Sequence, residues 1–531
     1  MMRGFRQVSS ALVLCTQTRG GQLALLILVL AIGTFARTWE YGRLPPGLNA
    51  DEASIGVEAY DLAHYGLDRN GVSFPVHFIS WGSGQNALYG YLLVPFVAML
   101  GLSPTVVRVP MLMAGLLSLP LMYFVGTHTF GRATGLLATF FLAISPWHIL
   151  LSRWALESNL LPFVFLAGYA CLLWGLERPA SFVVACIWFG LALYAYGTAY
   201  AAVPVFMLCV VVLMLRRRPP PKIHLSSGVL VFALVAAPIG LFLIVNSFGL
   251  PSMQLGPLTV PRLPVAARYE GITLFGQGNM VGALASNLWS GIRLLATESD
   301  GLIYNVVDPY GYFYHLGLPA AIGGAVALLY EMRRNRRTEH VLVLAWLGAA
   351  LLPMVFQPAN VNRTNLAFMP LILCAAFLLT GAGKRVPAML PCVVGLLLAA
   401  FVAFTVTYHA QAYRAQISYK FHDGLLAALR IAQSESQAGL CVTDNINMPY
   451  IFALFSDHTS PVAFVDTVKY VDPTAPLRQV QAFGRYTFGT ENCGEQDALT
   501  YVLTSAEIPP RLGNRYSYEF FDHFVVYYPK R

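Results

Sequence analysis

The apolar residues of this chain fall in long runs. Those long enough to cross a bilayer, about 17–25 residues, lie near 21–37, 106–126, 133–150, 159–176, 180–197, 199–215, 226–246, 314–332, 340–357, 364–381 and 386–407. Each predicts a membrane helix, eleven in all. One further run, Ala87–Leu102, is short for a crossing, and its neighbours Gln85, Asn86, Tyr89 and Tyr91 suit an interface. After Tyr408 no span follows. Short apolar runs at Leu440–Thr443, Val462–Val465, Tyr501–Thr504 and Phe524–Tyr528 alternate with turn-rich or helical pieces there, which predicts a small α/β domain. The expected fold is mainly α: a polytopic transmembrane helical bundle over residues 1–407, with outer juxtamembrane helices at 38–105, then an extracytoplasmic α/β domain at 408–531.

Composition supports a lipid solvent. Of 531 residues, 56% are hydrophobic and 11% charged, about half the charged share of a soluble domain. The net charge of +8 does not argue for nucleic acid, because the basic residues sit in short clusters between apolar runs. Arg216-Arg217-Arg218 with Lys222, Arg333-Arg334 with Arg336-Arg337, and Lys384-Arg385 are the strongest clusters. Arg3, Arg6 and Arg19 set the N-terminus inside. If Ala87–Leu102 does not cross, all three clusters are cytoplasmic; if it does, all three are outside. The run is therefore read as lying along the outer surface. The stretch Leu23–Phe35 has no small-residue cleavage site after it and reads as a retained first span. Thr38–Thr105, Ser152–Ser158, Ser247–Tyr312 and the tail then lie outside, on a multi-pass protein of the cell membrane.

The eight cysteines show no metal-type spacing. Cys171, Cys186, Cys209, Cys374 and Cys392 lie in apolar runs, where a thiol is a small hydrophobe. Cys441 and Cys493 lie in the tail, where an oxidising compartment would let them pair.

Candidate chemistry gathers on the outer side. Asp51 and Glu52 are adjacent carboxylates beside an apolar face, where partial desolvation makes a better base. The competing reading is a helix start, with Asn49 or Asp51 as cap and Glu52 in the first turn. His148, Arg153 and Glu157 close the third span, beside Trp147 and Trp154 as interfacial anchors. Arg108 and Arg363 stand at outer span ends against the usual charge bias, and an arginine fork suits a phosphate. The alternative for each is snorkelling to headgroups. Tyr194 and Tyr196 read as an aromatic belt. No Walker A loop, GxSxG or HExxH occurs. The acids and bases crowd one face, whereas a transporter places its site near the midplane.

In their order, Asn49-Ala50-Asp51-Glu52, Gln85-Asn86-Ala87-Leu88-Tyr89-Gly90-Tyr91-Leu92, Val107-Arg108-Val109-Pro110, Ile144-Ser145-Pro146-Trp147-His148 and Ser152-Arg153-Trp154-Ala155-Leu156-Glu157 resemble the GT-C glycosyltransferases. The resemblance is to bacterial members of the protein O-mannosyltransferase family (glycosyltransferase family 39) and, more distantly, to the aminoarabinose transferases. It implies an inverting transfer from a polyprenyl-phosphate-linked sugar to a hydroxyl of a protein, lipid or glycan acceptor on the outer face. Asp51 takes the base role, with Glu52 beside it in the acidic motif. Glu157 falls on the second acidic position, where the protein mannosyltransferases usually show Asp, and Arg108 on the outer arginine. Many relatives carry a Lys in the segment that here holds Gln85 and Asn86, and Arg363 is a candidate replacement for it. A divalent cation has room beside Asp51, Glu52 and Glu157, but the sequence does not demand one. The competing functions are a transporter or flippase, or a polymerase or ligase, for lipid-linked glycans. The parity of the basic clusters predicts that a reporter fused after Arg531 lies outside the cytoplasm; a cytoplasmic signal would invert the topology and displace every candidate residue.

Overall fold

The structure is a computed structural model that describes residues 18–217, 221–265, 279–494, 498–508 and 515–530. Arg3, Arg6 and Arg218 of the basic clusters lie outside the described residues. Among the described residues, eight helices are long and apolar enough to cross a bilayer. They are Arg19–Thr38, Pro104–Phe130, Glu157–Gly175, Ala199–Arg217, Lys222–Ser247, Thr338–Phe356, Val361–Arg385 and Met389–His409. Each coincides with an expected run.

The other three expected spans are helical but fall short of that standard. The 133–150 run breaks into Arg132–Ile144 and Pro146–Leu151, because Pro146 pushes Ser145 into an extended conformation (ψ 122°). The 180–197 run is helical only over Ala180–Ala192. Thirteen residues reach about 20 Å, against about 30 Å of hydrocarbon. Gly317–Asn335 is long enough but ends in Glu331, Arg333 and Arg334. The Leu88–Leu100 helix is also too short to cross, as the charge parity requires.

Burial sorts the helices into centre and rim. The hydrophobic window of Glu157–Gly175 is 83% buried and that of Met389–His409 only 11%. The first therefore lies at the heart of the bundle. The second turns Leu396, Val402 and Val406 outward, as a lipid-facing helix does. Small residues allow the closest approaches. A methyl at Gly324 would collide with the Cys374 carbonyl, so Gly317–Asn335 and Phe368–Arg385 meet backbone to backbone.

Two hairpins stand outside the bundle, β1 (His77–Phe78) with β2 (Gln85–Asn86) and β3 (Met253–Leu255) with β4 (Leu258–Val260). The tail forms a seven-stranded mixed sheet from β5 (Leu440–Val442), β6 (Lys469–Tyr470), β7 (Val480–Phe483), β8 (Tyr486–Phe488), β9 (Thr500–Thr504), β10 (Tyr516–Phe521) and β11 (Phe524–Pro529). The order is β10-β11-β9-β5-β8-β7-β6. Central β5 runs parallel to both β8 and β9, and the outer pairs are antiparallel. The sheet is docked on the outer loop. Leu48 N donates to the Phe421 carbonyl at 2.6 Å, and a methyl at Gly56 would meet the Phe455 ring.

Cys441 of β5 is bonded to Cys493, just past β8, with Cα atoms 5.9 Å apart. The bridge closes a loop of 52 residues, which in the chain-entropy model contributes about 4 kcal/mol. Replacing both cysteines by alanine should lower the tail's stability by that order. Limited proteolysis of the membrane-embedded protein checks it: unchanged resistance of the tail would show that the bridge is dispensable.

Candidate active site

The site begins at the first turn of the helix Ala50–Tyr65. Asn49 is its N-cap: Asn49 Oδ1 accepts from Asp51 N, and Glu52 Oε2 accepts from Asn49 N, a complete capping box. The cap expected at Asn49 or Asp51 is thus Asn49. Asp51 is half-buried in the first turn, where the helix dipole favours a carboxylate.

Glu52, the second acid expected in the catalytic motif, is bound into the interior. It is fully buried. Arg108 Nε donates to its Oε1 at 2.7 Å and Arg108 Nη2 to its Oε2 at 2.8 Å, while Ala155 N donates to Oε1. Arg108 is equally buried and also donates to the Pro45 and Gly47 carbonyls. Its guanidinium lies 5.6 Å from the centre of the Phe421 ring. An arginine so enclosed holds the loop before Asp51. Arg153 is enclosed likewise. It is 1% exposed and donates to the carbonyls of Leu44, Ala36 and Arg37. His148 is buried, and its Nδ1 lies 2.7 Å from Arg37 Nη2. Arginine can only donate, so His148 Nδ1 accepts and the ring belongs to the scaffold.

The remaining candidates are tied together by short hydrogen bonds. Asn86 N donates to Glu157 Oε2 at 2.6 Å, and Asn86 Nδ2 donates to the Tyr200 hydroxyl at 2.9 Å. Gln85 Oε1 accepts from Ser54 and Ser80 at 3.0 and 2.9 Å. Glu157 opens its helix two residues after Ala155, the amide that Glu52 binds. Arg363 stands in the short helix Val361–Thr364, half-exposed, with Nη1 on the Pro358 carbonyl. Asn365 Nδ2 then donates to the Ser158 carbonyl, and Val361 N to Asp300 Oδ2. These ties bring the segments of Asp51, Asn86, Glu157 and Arg363 to one rim.

Several members of this environment were missed by sequence reasoning. Tyr304 stacks edge-on against Trp154 at 5.3 Å. Burial, then the charges of Asp300 and Asp51, push its hydroxyl up to about 12. Arg69 donates to Ser54 and Ser80 and lies 4.7 Å from the Trp81 ring centre. Beneath it, Asp61 is pushed up to about 9 by burial and by the Glu58 charge. The signal available for this layer was three acids, Glu58, Asp61 and Asp68, within eleven positions of a mostly apolar chain. The divalent-cation setting beside Asp51, Glu52 and Glu157 does not form, because both Glu52 oxygens are taken by Arg108 and backbone amides. Among the described residues, no group of three or more His, Cys, Asp or Glu is arranged to hold a metal ion.

Residues 86–242, less than half of the chain, match the family described as Dolichyl-phosphate-mannose-protein mannosyltransferase. The chain superimposes on ArnT from Cupriavidus metallidurans, solved with undecaprenyl phosphate, with a TM-score of 0.61 at 13% identity, covering 96% of this chain and 98% of that one. The oligosaccharyltransferase of Archaeoglobus fulgidus, solved with Zn and sulfate, gives 0.53 at 13% identity over 82% of this chain. This chain spans 62% of that protein's length. No curated protein matches. The fold is the GT-C fold of multi-pass membrane glycosyltransferases, and fold and family match together indicate a glycosyltransferase. The likeness to the ArnT fold reaches from the membrane helices into the tail sheet.

Breaking a buried ion pair by removing one partner costs about 3–5 kcal/mol. Arg108→Ala and Glu52→Gln should therefore lower Tm in detergent or abolish accumulation. Arg363→Ala should stay within about 0.5 kcal/mol of the parent. Equal Tm for all three proteins would refute this division between scaffold and site.

Proposed function

We propose that this chain moves a sugar from a polyprenyl-phosphate donor to an acceptor hydroxyl on the outer membrane face. The transfer is an inverting single displacement with Asp51 as general base. The observation that carries the reading is the first turn of Ala50–Tyr65: the cap falls on Asn49 and the ion pair on Glu52, while Asp51 lies between them half-buried. The two residues before it, Asn49 and Ala50, help to line a cavity of about 1020 Å³. The lipid-linked donor is supported by the undecaprenyl phosphate of ArnT and the dolichol-phosphate of the archaeal AglB complex.

In this reading Asp51 takes the acceptor proton as the new glycosidic oxygen bond forms at the anomeric carbon, and the polyprenyl phosphate leaves with the old bond's electrons. Developing phosphate charge needs a cation. With Arg108 and Arg153 enclosed by the protein, that role falls to Arg363. Glu157, oriented by Asn86 N, contacts the sugar, and Gln85 fixes the Asn86 strand from behind. The N-terminus lies inside and the tail sheet outside.

Asp51→Asn keeps shape and leaves the Asn49 cap intact, so the protein should fold. Loss of a general base should lower transfer about 10²–10⁴-fold. Arg363→Ala should cost about 1.5–3 kcal/mol in donor use, the worth of one charged hydrogen bond. Purified parent and variants, assayed with defined polyprenyl-phosphate sugars in the same membranes, test both. Near-parental transfer by Asp51→Asn would remove it as the base and shift suspicion to Glu157.

A further inference from the structure

The tail sheet has a property that the proposed chemistry does not use. In an open α/β sheet, ligands bind outside the carboxyl ends of parallel strands, where the connections diverge to opposite sides. Here that point is β5. The chain leaves β5 for the edge strand β6, returns through β7 to β8 on one side of β5, and then crosses to β9 on the other. The loop after β5 supplies Asn445 and Asn447, and the turn after β9 supplies Ser505 and Glu507. Both line the same cavity of about 1020 Å³ whose far wall is Asn49, Ala50 and Tyr304. The switch point of the sheet therefore opens toward the turn that carries Asp51.

The lining states the chemistry of an occupant. Asn445 and Asn447 are exposed side-chain amides, each able to donate and accept at once. Tyr419 presents a ring that is 60% exposed, and Tyr304 stands opposite. The lining holds one Lys and one Glu: Lys420 Nζ lies 5.7 Å from the Tyr419 ring centre, and Glu507 accepts from Thr504 N and Oγ1. Burial pushes His422 down to about 4, so it is neutral. An acyl chain needs a continuous apolar wall, and a phosphate needs cations in excess. Paired amides with aromatic faces suit a neutral, many-hydroxylated ligand. The volume is at the upper end of small-ligand sites, with room for more than one sugar ring.

We propose that this crevice is the acceptor site and that the acceptor is a neutral glycan, held by Asn445, Asn447 and Tyr419 with its terminal hydroxyl directed to Asp51. The proposal rests on the reading of Asp51 as base. The test is binding of the full-length protein in detergent micelles to a glycan array and, in parallel, to an array of Ser- and Thr-containing peptides. The expected result is binding to neutral oligosaccharides, weakened at least about tenfold by Asn445→Ala with Asn447→Ala and separately by Tyr419→Ala, and kept by Asp51→Asn. All three sites of substitution in the crevice are exposed, so folding should survive, with Tm as the control. Failure to bind any oligosaccharide, binding that ignores these substitutions, or peptide binding that responds to them would overturn the proposal. Crevice-dependent glycan binding together with parental transfer by Asp51→Asn would instead sink the base and leave the acceptor site standing.

Discussion

The ion pair between Glu52 and Arg108 is the constraint around which the outer half of the molecule is arranged. Two charges wholly removed from water are costly, and only saturation of their hydrogen-bonding capacity makes the arrangement tolerable. That requirement recruits the surroundings. The carbonyls of Pro45 and Gly47, the amides of Asn49 and Ala155, and the face of Phe421 all converge on the pair. One interaction thus joins the first outer loop, the Pro104–Phe130 helix, the entry to Glu157 and the tail domain. Successive helical residues point about 100° apart, so fixing Glu52 inward also fixes where Asp51 looks.

The bundle was legible because lipid imposes a length on every crossing element, and each of the eleven apolar runs contains a helix. The shortened ones were not foreseen as such, since a mean over apolar residues does not register that Pro146 ends a hydrogen-bond ladder. The disulfide was open in the sequence, where nothing placed Cys441 near Cys493; only the pairing of β5 with β8 does that. Among the candidate residues the surroundings of the arginines were the least legible. Arg108 and Arg153 at outer span ends look like phosphate ligands when the sequence alone is read, because the carbonyls that absorb their donors carry no sequence signature. Asp51 and Glu52 looked like a pair and are not one. The helix that starts at Asn49 separates them into a member of the rim and a member of the core. Tyr304 and Asp300 went unnoticed in a long outer loop that has no pattern of its own.

The likeness to solved glycosyltransferases at 13% identity shows how little of this architecture depends on particular side chains. Apolar length, a few glycine contacts such as Gly324 on Cys374, and a small number of saturated polar nodes suffice. The polar nodes are where this chain's own chemistry is to be sought. They are sparse enough that each can be followed from donor to acceptor.

The seating of Phe421 at Gly47, before the helix Ala50–Tyr65, and of Phe455 at Gly56 within it has a consequence for biosynthesis. The crevice beside Asp51 has walls drawn from residue 49 and from residue 507. A ribosome emits the first wall long before the second. Through most of its synthesis the chain therefore holds only half of this enclosure, and the crevice is complete only when the tail domain docks on the loop. A product cut short before the sheet would carry the first wall without the second.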